Sequence, residues 1–226
     1  MDVVIPAWNE EKSIGLVVRD IDRSLVRNVF VIDNNSTDRT AEVAANAGAR
    51  VISEREQGYG AACLRGLDEL YVSEPLCDIV VFMDADYSDY ASEMPDLIQP
   101  IVTNKADLVI GSRALGVAER GSMTVPQRFG NWLATTLIRL FYGFRFTDLG
   151  PYRAIRTSSL QKLGMKDRNY GWTVEMQIKA LRSGLRCTEV PVNYRKRIGV
   201  SKVSGTVKGT ILAGYKIILT IFKYSL

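Results

Sequence analysis

Apolar runs of strand length alternate with apolar residues at helical spacing through the first half of the chain. Val3-Val4-Ile5 predicts a strand stopped by Pro6, and Ile14, Val17, Val18, Ile21 and Leu25 fall on one face of a helix. Val29 to Ile32 predicts a second buried strand, ended by the polar turn Asp33-Asn34-Asn35-Ser36. Ser36 is placed to cap a helix through Ala41, Val43 and Ala44, which Gly48 closes before a short strand from Ala49 to Ile52. Gly58-Tyr59-Gly60 opens a further helix with Ala61, Ala62, Leu64, Leu67 and Leu70 apolar. The unbroken run Ile79 to Met83 has the pattern of a central parallel strand. A helix around 96–102 leads to the strand Leu108-Val109-Ile110. This alternation predicts an α/β fold with a mostly parallel central sheet flanked by helices.

The second half is less regular. Residues 127–142 predict a largely apolar helix, Tyr152 to Ile155 a strand, 172–183 a helix stopped by Gly184, and Cys187 to Val192 a strand. The segment 206–226 is set apart from a catalytic domain over 1–205. It is rich in Ile, Leu, Phe and Tyr, and its Lys208, Lys216 and Lys223 fall within an arc of about 80° on a helix. Such an amphipathic helix suits a membrane interface, or equally a place packed on the domain with its lysines in solvent.

Composition narrows the chemistry. The chain has 226 residues, 46% of them apolar and 24% charged, with a net charge of +4. That balance does not call for nucleic acid as a partner. With no histidine, Ser-His-Asp and Cys-His catalysis are excluded, and any metal must be held by oxygen, which favours Mg²⁺ or Mn²⁺ over zinc. Three cysteines without a CxxC pair point to neither a disulfide framework nor a zinc site, so a cytoplasmic location is expected. No signal peptide and no transmembrane run are expected.

Three polar clusters stand at strand ends, where parallel α/β sheets bind ligands: Pro6 to Glu11, Asp33 to Ser36, and Asp84-Ala85-Asp86. Two carboxylates spaced D-x-D after a buried strand repel each other unless a cation lies between them. A hard divalent ion that also grips a diphosphate resolves that repulsion.

These residues carry a resemblance. The stretches VVIPAWNEE (3–11), VIDNNSTDRTAEVA (31–44), QGYGAACLRGL (57–67), VVFMDADYSD (80–89), DLVIGSR (107–113) and EVPVNYRKRIGVSK (189–202) resemble the inverting family-2 glycosyltransferases of the GT-A fold, and within them the polyprenyl-phosphate sugar synthases. The resemblance implies that Pro6, Ala7, Asn9 and Glu10 line the nucleotide pocket and that Asp33 and Asn34 meet the base or ribose. It implies close approach of the nucleotide at Gly58, ribose and metal beside Asp84 and Ala85, and Asp86 as principal metal ligand. Arg113, Arg128, Arg195 and Arg197, with Ser201 and Lys202, become candidates for donor and acceptor phosphates, a task suited to the planar guanidinium fork. Two departures stand out. Asn34 replaces a frequent Asp, which leaves UDP and GDP both open, and Ser88 takes a position where some relatives place a longer metal ligand.

The expected reaction is one in-line displacement at the anomeric carbon of a nucleotide sugar. A polyprenyl phosphate acceptor is already ionised and needs no base, and it would place the protein at the inner face of a membrane. A soluble hydroxyl acceptor would need a base, for which Glu175 and Asp148 are the candidates. A nucleotidyltransferase is disfavoured, because Pro6-Ala7-Trp8-Asn9 stands where those enzymes carry a glycine-rich loop.

Overall fold

The computed structural model describes residues 1–199 and 207–225. One seven-stranded sheet runs in the order β3-β2-β1-β4-β6-β5-β7. The strands are β1 (Asp2–Ala7), β2 (Asn28–Asp33), β3 (Arg50–Ser53), β4 (Ile79–Phe82), β5 (Leu108–Ser112), β6 (Arg153–Arg156) and β7 (Cys187–Pro191). All pair in parallel except β6, which is antiparallel to both β4 and β5.

Side chains alternate across the sheet as the period of a strand requires. Val4, Phe30, Ile32, Val80 and Phe82 enter the core beneath α3 (Tyr59–Tyr71), α5 (Val125–Tyr142), α6 (Thr157–Leu163) and α7 (Trp172–Arg182). Val3, Ile5, Val29, Val31 and Val81 enter the opposite core beneath α1 (Ile14–Asp20), α2 (Thr40–Asn46) and α4 (Met94–Val102). The helix α8 (Val207–Ser225) joins the first core through Ile221, which is fully buried. The expected boundary near 205 lies outside the described residues.

The elements appear where the apolar pattern places them, with physical exceptions at their ends. Pro6 does not stop β1, which continues to Ala7. Pairing with β4 ends at Val4, so beyond it β1 is paired only with β2 and a proline without an N–H is tolerated. The first helix ends at Asp20, not near Leu25. Asp22 accepts from the Ser24 N–H at 2.8 Å, and this local turn competes with another helical turn, leaving Leu25 exposed and burying Val26. Gly48 and Gly184 close their helices in the left-handed conformation, φ 92° and 67°. The short α6 carries too few residues to show a helical period.

Candidate active site

The order β2-β1-β4 brings the three polar clusters side by side at the carboxyl ends of their strands. Each loop there contains a non-glycine residue in the left-handed region: Asn9 (φ 53°), Asn35 (φ 61°) and Tyr87 (φ 65°). Such residues cost on the order of 1 kcal/mol or more and persist only where their surroundings hold them, typically at binding sites.

The first two loops are stapled together. The Asn9 N–H donates to Ser36 Oγ at 3.0 Å, the Thr37 N–H to Asn9 Oδ1 at 2.8 Å, and the Glu10 N–H to Thr40 Oγ1 at 2.7 Å. Ser36 therefore caps no helix. It closes the loop after β1, and α2 begins at Thr40. The Asn34 N–H donates to the Ala7 carbonyl at 2.8 Å, directly beyond Pro6. Asp33 accepts from the Ser36 N–H at 3.3 Å.

The Asn34 side chain is spent elsewhere. Its amide donates to the Glu54 and Glu56 carbonyls at 3.3 and 2.6 Å, and its Oδ1 accepts from the Gly58 N–H at 2.8 Å. Gly58 packs so closely that a Cβ there would lie 2.1 Å from the Arg168 carbonyl oxygen.

Asp84 is half-buried beyond β4, and Asp86 is 4% exposed. Burial, and then the charge of Asp86, push the Asp84 carboxyl up to about 7. Asp86 Oδ1 accepts from the Ser88 N–H at 3.0 Å and from the Ser88 hydroxyl, so Ser88 orients Asp86. Asp86 Oδ2 lies 2.6 Å from Arg197 Nη2. The adjacent Asp89 carboxyl is fully enclosed, with Oδ1 lacking a partner. Asp84, Asp86 and Ser88 offer oxygen donors only, as a hard divalent ion requires. Among the described residues, no group of three or more acidic, cysteine or histidine side chains could hold a metal alone. Two carboxylates and a hydroxyl fall short of an octahedral set, so an ion held here would draw its remaining ligands from elsewhere.

Arg195 faces this loop as a brace. Its guanidinium carbon lies 3.4 Å from the Tyr87 ring centroid and 4.4 Å from that of Tyr90, while Nε donates to the Tyr87 carbonyl and Nη2 to the Asp89 carbonyl. It holds the left-handed Tyr87 turn.

On the far side, Asp148 is completely buried and takes Arg113 in a two-point pair, Oδ2 to Nε at 2.8 Å and Oδ1 to Nη2 at 2.7 Å. Burial opposes the charge on Arg113, and Asp148 overcomes that cost, raising its pKa. Four other residues hold the loop 147–150. Glu189 accepts from the Thr147 and Asp148 N–H groups, Asn131 bonds the Thr147 carbonyl and the Leu149 N–H, Gln177 donates to the Asp148 carbonyl, and Arg153 donates to the Leu149 and Gly150 carbonyls.

Beside this pair opens a cavity of about 530 Å³ lined by Arg113, Arg128, Arg139 and Arg145, together with Met123, Trp132, Phe146 and Thr147. Among the described residues, Arg128, Arg139 and Arg145 have no ion-pair partner. Arg139 and Arg145 escaped the sequence reading. Their signal was the stretch 120–147, which contains no acidic residue.

Glu175 is not placed for proton transfer. It is fully buried and accepts from the Lys166 and Asp167 N–H groups and the Tyr224 hydroxyl, with Lys179 Nζ at 2.6 Å. Burial alone would raise its pKa, but Lys179, Asp167 and Tyr224 lower it. It ties α7 to α8. Ser201 and Lys202 lie outside the described residues.

The mixed sheet, the strand-end loops and the paired carboxylates define a glycosyltransferase of the GT-A fold. Residues 2–164 match the model for glycosyl transferase family 2, and the chain belongs to that family. It is 36% identical over 212 residues to an uncharacterized glycosyltransferase of Mycobacterium tuberculosis, covering 93% of each chain. It is 30% identical over 218 residues to the undecaprenyl-phosphate mannosyltransferase of Micrococcus luteus, covering 91% of this chain and 88% of that one. Among solved structures it is similar to glucosyl-3-phosphoglycerate synthase of Mycobacterium tuberculosis in complex with Mn²⁺, UDP-glucose and phosphoglyceric acid. The TM-score is 0.78 at 25% identity, covering 99% of this chain and 79% of that chain.

Proposed function

We propose that this protein is an inverting hexosyltransferase that moves a sugar from a nucleotide sugar, UDP-glucose or GDP-mannose, to a polyprenyl phosphate. The carrying observation is the cavity with four arginines inside and an apolar rim. Trp132 both lines it and stays 59% exposed, Phe129 stacks on Trp132 with centroids 5.7 Å apart, and Leu115 and Val117 stand exposed beside the lining residues Ala114, Gly116 and Ala118. Cations inside and hydrocarbon outside suit a phosphate carried on an apolar tail.

In this reading, the stapled loops after β1 and β2 hold the nucleoside. Asp84 and Asp86 would hold Mg²⁺ or Mn²⁺, which would supply positive charge to the leaving diphosphate. Asp148 fixes Arg113 at the cavity wall, and Arg128, Arg139 and Arg145 attract and orient the acceptor phosphate. The acceptor oxygen arrives ionised, so no base is required, in keeping with the full engagement of Glu175 and Asp148 in ion pairs.

The surface around α5 and α8 supports peripheral membrane contact. Leu212, Tyr215, Leu219 and Phe222 form an exposed stripe on α8, and Phe141 on α5 meets Phe222 with centroids 5.3 Å apart. Neither helix contains an acidic residue, which suits an anionic bilayer. Among the described residues, no helix is long and apolar enough to cross a membrane.

A small phosphorylated acid is the second reading, favoured by the phosphoglyceric acid bound in the similar solved structure. Nucleoside diphosphate release from UDP- and GDP-sugars, measured with polyprenyl phosphate or with 3-phosphoglycerate, separates the two. Release that needs the lipid supports the first, and release that needs the acid replaces it with the second.

A further inference from the structure

Both carboxylate oxygens of Asp86 are used within the protein. Ser88 occupies Oδ1 through its N–H and hydroxyl, and Arg197 Nη2 stands 2.6 Å from Oδ2. The backbone on either side of Arg197 is laced to the same loop. The Ile198 N–H donates to the Asp86 carbonyl at 2.9 Å, and the Arg195 N–H to the Ser88 carbonyl at 3.0 Å. The Arg197 side chain is 24% exposed, so part of it already reaches solvent.

We propose that Arg197 is the resident counter-ion of Asp86 in the donor-free enzyme, and that a divalent cation competes with it for the same carboxylate oxygen. The inference rests on the reading of Asp84 and Asp86 as the metal site. A guanidinium displaced from Asp86 keeps its charge and its planar fork, and its tether leaves it beside the diphosphate that accompanies the ion. The exchange keeps Asp86 paired in both states, avoiding a buried carboxylate without a partner. Metal alone binds poorly, because it must evict the arginine. Metal with nucleotide binds well, because the evicted arginine gains a new partner. The two ligands are therefore coupled through one side chain.

Mn²⁺ binding, followed by the loss of free-ion electron paramagnetic resonance signal, tests this without turnover. Without nucleotide, Arg197→Met is expected to bind Mn²⁺ about tenfold more tightly than the native protein, and that gain to vanish or reverse when UDP or GDP is present. Arg197→Lys, which keeps a cation at Asp86, is expected to stay near the native affinity. Lys196→Met removes the same charge one residue away, from an exposed side chain, and is expected to change little. Arg197→Gln replaces the Met variant if circular dichroism shows the latter unfolded. Equal Mn²⁺ affinity of native protein and Arg197→Met, or an equal gain in Lys196→Met, overturns the exchange. Absence of Mn²⁺ binding in every protein, with or without nucleotide, overturns the metal-site reading beneath it.

Discussion

Asp148 grips Arg113 at three points, since its Oδ2 also accepts from the Arg113 backbone N–H at 2.8 Å, and its carboxylate is cut off from solvent. A side chain held in this way is committed to its partner. Asp148→Asn is expected to cost about 3 kcal/mol of stability by leaving Arg113 enclosed without its counter-charge. The Asp148→Asn, Arg113→Met double variant is expected to recover part of that loss in a denaturant titration, while neither recovers turnover. A single Asp148→Asn variant with native stability would show that the pair carries no structural load.

Glu175 separates a structural role from a catalytic one. Glu175→Gln is expected to lower stability by about 2 kcal/mol, because Lys179 loses its counter-charge and two backbone N–H groups lose a charged acceptor. At a temperature where the variant remains folded, kcat is expected to stay within about threefold of native, and the pH profile of kcat to keep its shape. A hundredfold fall in kcat with unchanged stability would instead assign it the base.

The arginines of the cavity divide the kinetic parameters. Arg139→Gln and Arg145→Gln are each expected to raise KM for the phosphorylated acceptor about tenfold with little change in KM for the nucleotide sugar. The loss should deepen with added salt, as screening weakens the remaining cations. Initial rates with each substrate varied in turn provide the check.

Acid stability hinges on Asp107. The Arg186 guanidinium, donating at 2.8 and 3.0 Å, holds its carboxyl at about 2 against an ordinary value of 3.8. A depressed carboxylate pKa stabilises the fold above the unfolded value and loses that contribution as pH falls through the folded one. The window is therefore about pH 4 down to 2, and the contribution about 1 kcal/mol after allowance for solvent around Arg186. Asp107→Asn is expected to flatten the stability curve across that window, measured by urea midpoints at successive pH values.

Attachment to bilayers should depend on both exposed helices. Trp132→Ser and Phe222→Ser are each expected to reduce co-flotation with anionic liposomes severalfold, and to leave flotation with neutral liposomes low.

The strand-end clusters were legible in the sequence because their signals are local. An apolar strand followed at once by Asp33, or by Asp84-Ala85-Asp86, declares both its element and its edge of the sheet. Who holds those residues was not legible. Ser36 takes the Asn9 N–H instead of capping a helix, Thr40 takes the Glu10 N–H, and Arg195 braces Tyr87, because partners brought together by β-strand order leave no periodic trace. The cavity beside Asp148 is harder still. Arg139 and Arg145 lie on and just after a helix whose apolar content draws attention to its packing, and Glu189 and Arg153 act on a loop about forty residues away in one case and adjacent in the other. Tertiary closure alone reveals their common target.

The reversed strand β6 has a geometric consequence. Its first residue, Arg153, stands opposite Phe82 and Ile110, near the trailing ends of β4 and β5. A strand that runs backwards delivers the chain that enters it to the edge where its neighbours deliver the chain that leaves them. Thr147 to Gly150 thus approach this edge of the sheet on the way into β6, and Arg113 leaves β5 at the same edge, where Asp148 pairs with it. A loop entering one strand and a residue leaving its neighbour are thereby joined by the direction of a four-residue strand.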